Sequence, residues 1–549
     1  MFALAILIGI YSYLILDLGF LGLLYKQNII IISFLYLLLL LYLYKGFVEK
    51  MFSQFLNTLK KRRKFLFHIS NIGKKHNLSS FLILLFATQG LINLVGALGP
   101  ELSFDALWYH LTFPKLYLSN NAIIHTIGGH FYYSYMPKLV EMLYTSVLPF
   151  GGEILAKLIH FSFGILSPIV LYKLSRKFFS QKMSLIAVIV FYSNLVVSWE
   201  SITAYIDLAR TFFEVLALFS FLNWMEKEKR EWFVLSAIML GLAITTKVLA
   251  LESLIIFIFL IVIYFIRNKK SAKKIFTYCL AYSSIALFVP LPWFVFSYIN
   301  TGNPIYPFFT NAYKVNMGSS LINPVRFITD AWNLLVRAED PISPLYIIFF
   351  PLTLIFLKRF KFELKIITVY SLLSLLLWYI TPRTGGGRFI LPYLPAFSII
   401  VVCTLKEVWN IKLIRILCLI LIIFVSLTSI VYRGIANSKY LPVILGQQTK
   451  KEFLTNNLNF AYGDFYDTDG YFKNHISLRD KVLLYGFHNI YYVEFPFIES
   501  SFVESGDKFN YVATQNSDLP ERFRYWNLIY ENNKTHVKLY SLGGQEWVY

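Results

Sequence analysis

The chain has 549 residues, 57% of them hydrophobic and 15% charged, with a formal net charge of +20. Soluble domains carry about 25% charged residues, so a soluble globular fold is excluded. The basic surplus sits at the ends of apolar runs, which is the pattern of membrane topology and not of a nucleic-acid-binding face.

Apolar runs near 20 residues are long enough to cross the hydrocarbon core as helices. They fall at 2–24, 28–48, 78–99, 153–172, 183–199, 204–224, 232–247, 248–266, 275–299, 344–357, 366–381, 388–405 and 412–432. This predicts an α-helical polytopic membrane protein with about thirteen transmembrane helices. The first run lacks a basic leading region and a small-residue cleavage site, and is expected to be a retained span. Only Thr245, Thr246 and Lys247 separate the runs within 232–266.

The connecting segments set the orientation. Segment 45–75 holds nine Lys/Arg and one acid, and 173–182, 267–274, 358–365 and 406–415 are also basic. With the balanced segment 225–231, this set carries 28 Lys/Arg against 6 acids, whereas 100–152 and 300–343 together carry 5 against 6. The positive-inside rule places the basic set and the N-terminus in the cytoplasm. An odd number of spans then puts the C-terminal tail outside. Three parts follow: an N-terminal pair of spans with its basic segment (1–77), a membrane domain with an outer loop at 100–152 (78–432), and an extracytoplasmic domain (433–549). The tail is rich in Asn, Asp, Glu and Tyr. Strand-like runs at 481–486, 509–514, 526–530 and 536–540 after a helical stretch near 446–458 read as a small α/β domain. Cys279, Cys403 and Cys418 lie in apolar runs at spacings that match neither a disulfide framework nor a zinc site.

Ionisable residues at the outer ends of spans are the candidates for chemistry. Asp105 and His110 follow the third span, next to Trp108 and Tyr109. The aromatics suit an interfacial belt; the partly buried carboxylate suits a general base. Lys138 and Glu141 lie one turn apart, which fits either an i,i+3 ion pair or a carboxylate and a phosphate-binding cation in one cavity. Asp207, after Tyr205, opens the sixth span, where it either complements the helix dipole or faces a substrate. Lys247 is flanked by apolar residues, and either snorkels or holds a lipid phosphate. Arg383 and Arg388 flank a Gly-Gly-Gly turn on the outer side. Arginine beside freed backbone amides suits phosphate.

Taken in order, Ser103-Phe-Asp105-Ala-Leu-Trp-Tyr109-His110-Leu111, Pro137-Lys138-Leu-Val-Glu141, Ala204-Tyr205-Ile-Asp207-Leu208, Gly241-Leu-Ala-Ile-Thr-Thr-Lys247, Thr301-Gly302-Asn303-Pro304-Ile-Tyr306-Pro307 and Arg388-Phe-Ile-Leu-Pro392 form a set. The set resembles the GT-C class of polyprenyl-phosphate-dependent glycosyltransferases, in the bacterial group related to protein O-mannosyltransferases and lipid A aminoarabinose transferases. The resemblance implies a GT-C membrane domain and Asp105 as the catalytic aspartate. It also implies a polyprenyl-phosphate-linked sugar donor and transfer with inversion to a lipid, glycan or protein acceptor outside the cytoplasm. A bacterial inner membrane is the implied location. Asp207 and Tyr205 would orient a substrate, His110 would bind phosphate or support Asp105, and Lys247 and Arg388, with Lys138 and Arg383 behind them, would neutralise the leaving phosphate. No cofactor is required; a divalent metal between Asp105 and Asp207 is conceivable, but no spacing demands one. The chain departs from better-studied relatives in having two spans before the one that leads into the loop, and a single Asp105 without an adjacent second acid. Two other classes use lipid-linked sugars: a transporter or flippase, and an O-antigen polymerase or ligase. The first does not account for a large outer loop and folded tail, and the second relies on arginine-rich outer loops.

Overall fold

Lipid offers the backbone no hydrogen-bond partners, so apolar stretches of this length satisfy their amides internally as helices. The computed structural model describes residues 1–43, 78–125, 129–310, 324–336, 341–380, 386–543 and 545–549. The chain begins with α1 (Phe2–Phe20), α2 (Lys26–Leu43) and α3 (Leu78–Leu98), then a π-helical turn (Ala106–His110) and α4 (Thr112–Asn120). The bundle continues with α5 (Leu139–Ser175), α6 (Gln181–Tyr192), α7 (Leu195–Glu200), α8 (Asp207–Lys227), α9 (Arg230–Thr246) and α10 (Leu251–Arg267). It closes with α11 (Ala272–Phe288), α12 (Leu291–Thr301), α13 (Pro324–Val336), α14 (Leu345–Phe356), α15 (Phe362–Ile380), α16 (Leu394–Glu407) and α17 (Lys412–Ser438).

Each predicted apolar run carries a helix, but the helices are less regular than the runs. Among the described residues, eight helices are long and apolar enough to cross a membrane, or nine if α11 and α12, bent by 72°, form one span. The core of α8 is 94% buried and that of α17 only 17%, so α8 is the axis of the bundle and α17 presents its sides outward. Three boundaries differ from the expectation. The span placed at 153–172 begins at Leu139, so the last quarter of the supposed loop 100–152 belongs to that helix, which is broken where Gly152 adopts φ +57° and ψ −149°. A side chain disfavours that conformation. The run 183–199 divides into α6 and α7 at Asn194, whose side chain binds the Val190 and Phe191 carbonyls. The run 388–405 becomes helical only at Leu394, with two 3₁₀ turns before it.

Among the described residues, the basic segments 173–182, 267–274, 358–365 and 406–415 gather at one end of the bundle; segment 45–75 lies outside the described residues. Lys177 pairs with Glu226 at 2.8 Å and Arg359 with Glu407 at 3.7 Å. Arg267 lies over the Phe362 ring, and Lys406 over Phe179. The opposite end carries the loop after α3 and the tail.

In the tail, α18 (Leu441–Ile444), α19 (Lys450–Asn457) and α20 (Tyr471–His475) accompany β1 (Val482–Tyr485), β2 (Phe497–Glu499), β3 (Lys508–Phe509), β4 (Tyr511–Gln515), β5 (Asn527–Asn532), β6 (Val537–Ser541) and β7 (Trp547–Val548). Thr449 and Glu452 form a capping box at the start of α19. The main sheet has the order β2-β1-β4-β6-β5. β1 runs parallel to β2 and β4, while β6 is antiparallel to β4 and β5. All four predicted strands are present; β2, only three residues long, is an addition. The segment 486–496 leaves the C-terminal end of β1 and docks on the loop after α3. Tyr491 N–H donates to the Leu107 carbonyl at 3.2 Å. Lys115 Nζ donates to the carbonyls of Tyr491, at 2.7 Å, and of Val493. The Tyr492 hydroxyl donates to the Glu101 carbonyl at 2.9 Å.

Buried ionic side chains hold that loop from below. Lys157 Nζ reaches the carbonyls of Gly96, Gly99 and Pro100 at 3.0, 2.7 and 3.1 Å. A Cβ on Gly99 would lie 2.1 Å from the Tyr440 ring, so only glycine fits where α3 passes the end of α17. Glu101 is 1% exposed. Its carboxylate accepts the amides of Leu102, Ser103 and Ala204 at 2.9, 2.8 and 2.5 Å. Glu101→Ala leaves three amides without their acceptor, at about 1–3 kcal/mol for each that stays buried. The expected outcome is a clearly lowered unfolding midpoint in detergent, with secondary structure retained by circular dichroism.

Candidate active site

Three stretches of chain far apart in sequence meet at the loop end of the bundle. The π-helical turn presents Asp105, Tyr109 and His110; the start of α5 presents Lys138 and Glu141; and the 3₁₀ turn Gly386–Phe389 presents Arg388. With Lys247, at the break between α9 and α10, all of these line one cavity of about 370 Å³. Trp108, Tyr132, Tyr133, Phe308 and Phe389 supply its aromatic walls.

Two ion pairs organise the polar side. Arg388 Nη1 donates to Asp105 Oδ2 at 2.6 Å, and the Tyr109 hydroxyl donates to the same oxygen at 2.9 Å. Burial alone would push the Asp105 carboxyl up, but Arg388 and His110 outweigh it and hold the group below the usual carboxylate range. The Asp105 amide donates to the Tyr205 hydroxyl at 3.1 Å, and the Arg388 guanidinium lies over the Tyr205 ring at 4.9 Å. The second pair joins Lys247 Nζ to Asp207 Oδ1 at 2.6 Å, and Lys247 also lies over Phe389 at 5.1 Å. Asp207 is the first residue of α8, where its charge suits the helix N-terminus.

Lys138 and Glu141 do not form the i,i+3 pair that their spacing allows. Lys138 Nζ donates to the carbonyls of Tyr133 and Met136 at 2.5 and 3.1 Å. Burial lowers its ammonium to about 8. Glu141 instead takes His110, with His110 Nδ1 2.8 Å from Oε1. Of the predicted site residues, Asp105, Tyr109, His110, Lys138, Glu141, Lys247 and Arg388 line the cavity. Tyr205 and Asp207 stand directly behind Asp105 and Lys247 through the bonds above. Arg383 lies outside the described residues. Among those residues no group of three or more His, Cys, Asp and Glu comes together to hold a metal; Asp105 and Asp207 each face a cation.

Sequence reasoning did not single out the residues that hold these groups in place. His160, fully buried in α5, bonds the Thr203 carbonyl at 2.9 Å through Nδ1 and accepts the Leu208 amide at 3.1 Å through Nε2. That fixes the start of α8 and with it Asp207. One turn deeper, Arg210 donates to Glu214 at 2.7 Å and to the Tyr393 hydroxyl at 3.0 Å. Glu214 also accepts from Ser253 and Tyr370. This network ties the turn that follows Arg388 to α8. A charge inside an apolar run is the sequence signal for Lys157, His160, Arg210 and Glu214. The tail gives no such signal for His488, whose ring lies 4.5 Å from both Phe104 and Trp108 and 4.7 Å from His130. Burial lowers the imidazole pKa of both His130 and His488.

Comparisons with known proteins bear on the fold. Residues 136–294 match the family model described as dolichyl-phosphate-mannose-protein mannosyltransferase. No curated protein matches the chain in sequence. Among solved structures, ArnT from Cupriavidus metallidurans bound to undecaprenyl phosphate is similar at 13% identity and a TM-score of 0.57, over 84% of this chain and 98% of ArnT. The apo form of that protein aligns at 12% identity, with the same TM-score and coverage. The apo oligosaccharyltransferase of Archaeoglobus fulgidus aligns at 14% identity over 80% of this chain and 70% of its own, with a TM-score of 0.45. The chain is thus a membrane protein with an ArnT-like GT-C fold, and its segment 136–294 matches the mannosyltransferase family model.

Proposed function

We propose that the chain transfers a hexosyl or pentosyl unit from a polyprenyl-phosphate donor to an acceptor hydroxyl on the extracytoplasmic side of a bacterial inner membrane. The observation that carries this reading is the meeting of two carboxylates, Asp105 and Glu141, with three cations, Lys138, Lys247 and Arg388, in a single cavity at the end of the bundle away from the described basic segments. Under the positive-inside rule those segments are cytoplasmic, so the cavity opens on the other face.

The chemistry follows from the charges. The acceptor oxygen attacks the anomeric carbon from the face opposite the phosphate. The new carbon–oxygen bond forms as the anomeric carbon–phosphate oxygen bond breaks, and the electron pair leaves with the lipid phosphate. The acceptor proton passes to Asp105, and the configuration inverts. Both side-chain contacts of Asp105 fall on Oδ2, which assigns Oδ1 to the proton. The departing lipid phosphate gains charge in a water-poor cavity, where Lys247 and Arg388 are placed to stabilise it. The aromatic walls suit the faces of a sugar ring. The tail domain, seated on the loop through Tyr491 and Tyr492, bounds the acceptor's approach. The lipid bound to ArnT, undecaprenyl phosphate, is the donor carrier that this reading assigns.

Three measurements test it in membrane-reconstituted full-length protein. Asp105→Asn is expected to lower transfer by about 10²- to 10⁴-fold while undecaprenyl phosphate still binds; near-normal transfer removes Asp105 as the base. Lys247→Met is expected to weaken undecaprenyl phosphate binding by about ten- to hundredfold; an unchanged Kd removes its phosphate role. The Asp105 carboxyl is held low by Arg388, so the wild type keeps it ionised until the pH falls below the ordinary carboxylate range. Arg388→Gln removes that stabilisation, raises the carboxyl and moves the acid limb of the rate profile to higher pH; an unmoved limb argues against the coupling.

A further inference from the structure

A second cavity, of about 520 Å³, lies beside the loop after α3 and shares no lining residue with the first. Its floor is apolar, made by Leu118 of α4 and by Leu148 and Pro149 of α5. Its charged lining is Lys115, Glu153, Lys450 and Glu494. The interruption of α5 at Gly151 and Gly152 falls between that floor and Glu153. The cavity stands at the height of the membrane surface. Phe150, next to Pro149, is 48% exposed, and Lys26 Nζ lies over its ring at 5.2 Å. Lys26 is the first residue of α2, an apolar helix with only 6% of its span buried. Such a helix faces lipid, so its terminal lysine marks where the hydrocarbon ends.

Glu153 is the buried charge of this cavity, with a side chain 6% exposed. Lys450 Nζ meets it at 2.5 Å, and the hydroxyls of Tyr491 and Tyr492 approach it at 3.4 Å. The Lys450 side chain is 49% exposed, so another ammonium arriving from outside can take its place. Two lysines and two glutamates cancel. An excess of cations draws anionic headgroups; this cavity has none, and a simple anion there meets Glu153 and Glu494. A zwitterion fits without changing the charge balance. Its ammonium replaces Lys450 on Glu153, and its phosphate takes the released Lys450. Its acyl chains leave over Leu148, Pro149 and Phe150 towards the bilayer. The place on Glu153 is one for an N–H donor, which a primary ammonium supplies and a quaternary one does not. We propose that this cavity binds the headgroup of a zwitterionic phospholipid with a primary amine, of the phosphatidylethanolamine type. The bound headgroup packs against Tyr491 and Tyr492, whose bonds to Leu107 and Glu101 fasten the loop that bears Asp105. The proposal does not depend on the first cavity being the donor site.

The test uses full-length protein in phosphatidylcholine nanodiscs doped with equal small amounts of phosphatidylethanolamine and phosphatidylglycerol. After mild detergent extraction, the lipids that stay with the protein are counted by mass spectrometry against their share of the disc. Phosphatidylethanolamine is expected to be enriched over both others by about tenfold. Glu153→Gln removes the partner of the ammonium and leaves the lining with one excess cation. It is expected to abolish the enrichment and to raise retention of phosphatidylglycerol. The proposal is overturned if the retained lipid mirrors the disc, if either other lipid is retained as well as phosphatidylethanolamine, or if the enrichment survives in Glu153→Gln. Should Glu153→Gln lose the monodisperse size-exclusion profile of wild type, amide exchange in wild-type protein decides. Residues 489–494 are expected to exchange more slowly in discs with phosphatidylethanolamine than in discs with phosphatidylglycerol; equal exchange overturns the proposal.

Discussion

The 2.6 Å contact between Arg388 and Asp105 is the constraint on which the site depends. A lone carboxylate in so dry a place takes up a proton and ceases to be a base; a lone guanidinium there carries a large desolvation penalty. Each therefore requires the other, and Asp207 with Lys247 repeats the arrangement nearby. With Glu141 and Lys138, three acids and three cations stand in the cavity lining or directly behind it, formally balanced. A balanced cavity is tolerable while empty, yet each of its ion pairs can exchange a protein partner for a charged substrate group.

Such pairs hold their geometry only if the backbone that carries them does. The molecule meets this demand with buried polar anchors one layer behind the cavity. Glu101 and Lys157 fix the loop after α3, His160 fixes the start of α8, and the Arg210–Glu214 network fixes the turn after Arg388. Each anchor bonds the main chain or a side chain of a different element, so the stretches that supply Asp105, Asp207 and Arg388 are tied to one another and not to their own helices alone. Because removing one partner of a buried pair leaves an uncompensated charge, these anchors carry more structural weight than surface ion pairs such as Lys177–Glu226.

Much of this was legible in the sequence because lipid imposes a strong code. The apolar runs gave the helices, and their charged ends grouped them into two faces. The ionisable residues at the less basic face, Asp105, Asp207, Lys247 and Arg388, lie together in the structure. What the sequence hid has physical causes. Run length cannot distinguish a helix that stops at the membrane surface from one that continues, so the start of α5 at Leu139, ahead of the break at Gly152, is visible only in the structure. Side-chain spacing gives neighbours on one helix, so Lys138 and Glu141 looked like a pair. Their partners come instead from the preceding loop and from His110, and no local pattern encodes that. The docking of His488 and Tyr492 onto the loop is a contact across most of the chain, set by shape and not by period.

Parallel pairing of β1 with β2 forces the chain to cross from the end of one strand back to the start of the other, and residues 486–496 make that crossing. They press on the loop that bears Asp105. The order of biosynthesis therefore matters to this molecule. Asp105 is made 283 residues before Arg388, and the wall formed by His488, Tyr491 and Tyr492 later still. A ribosome that has delivered α1 to α10 has released a carboxylate without its cation and a loop without its cover. The cavity's lining ends at Phe389, so a chain cut short before the tail carries every lining residue but leaves the loop that bears Asp105 without its cover.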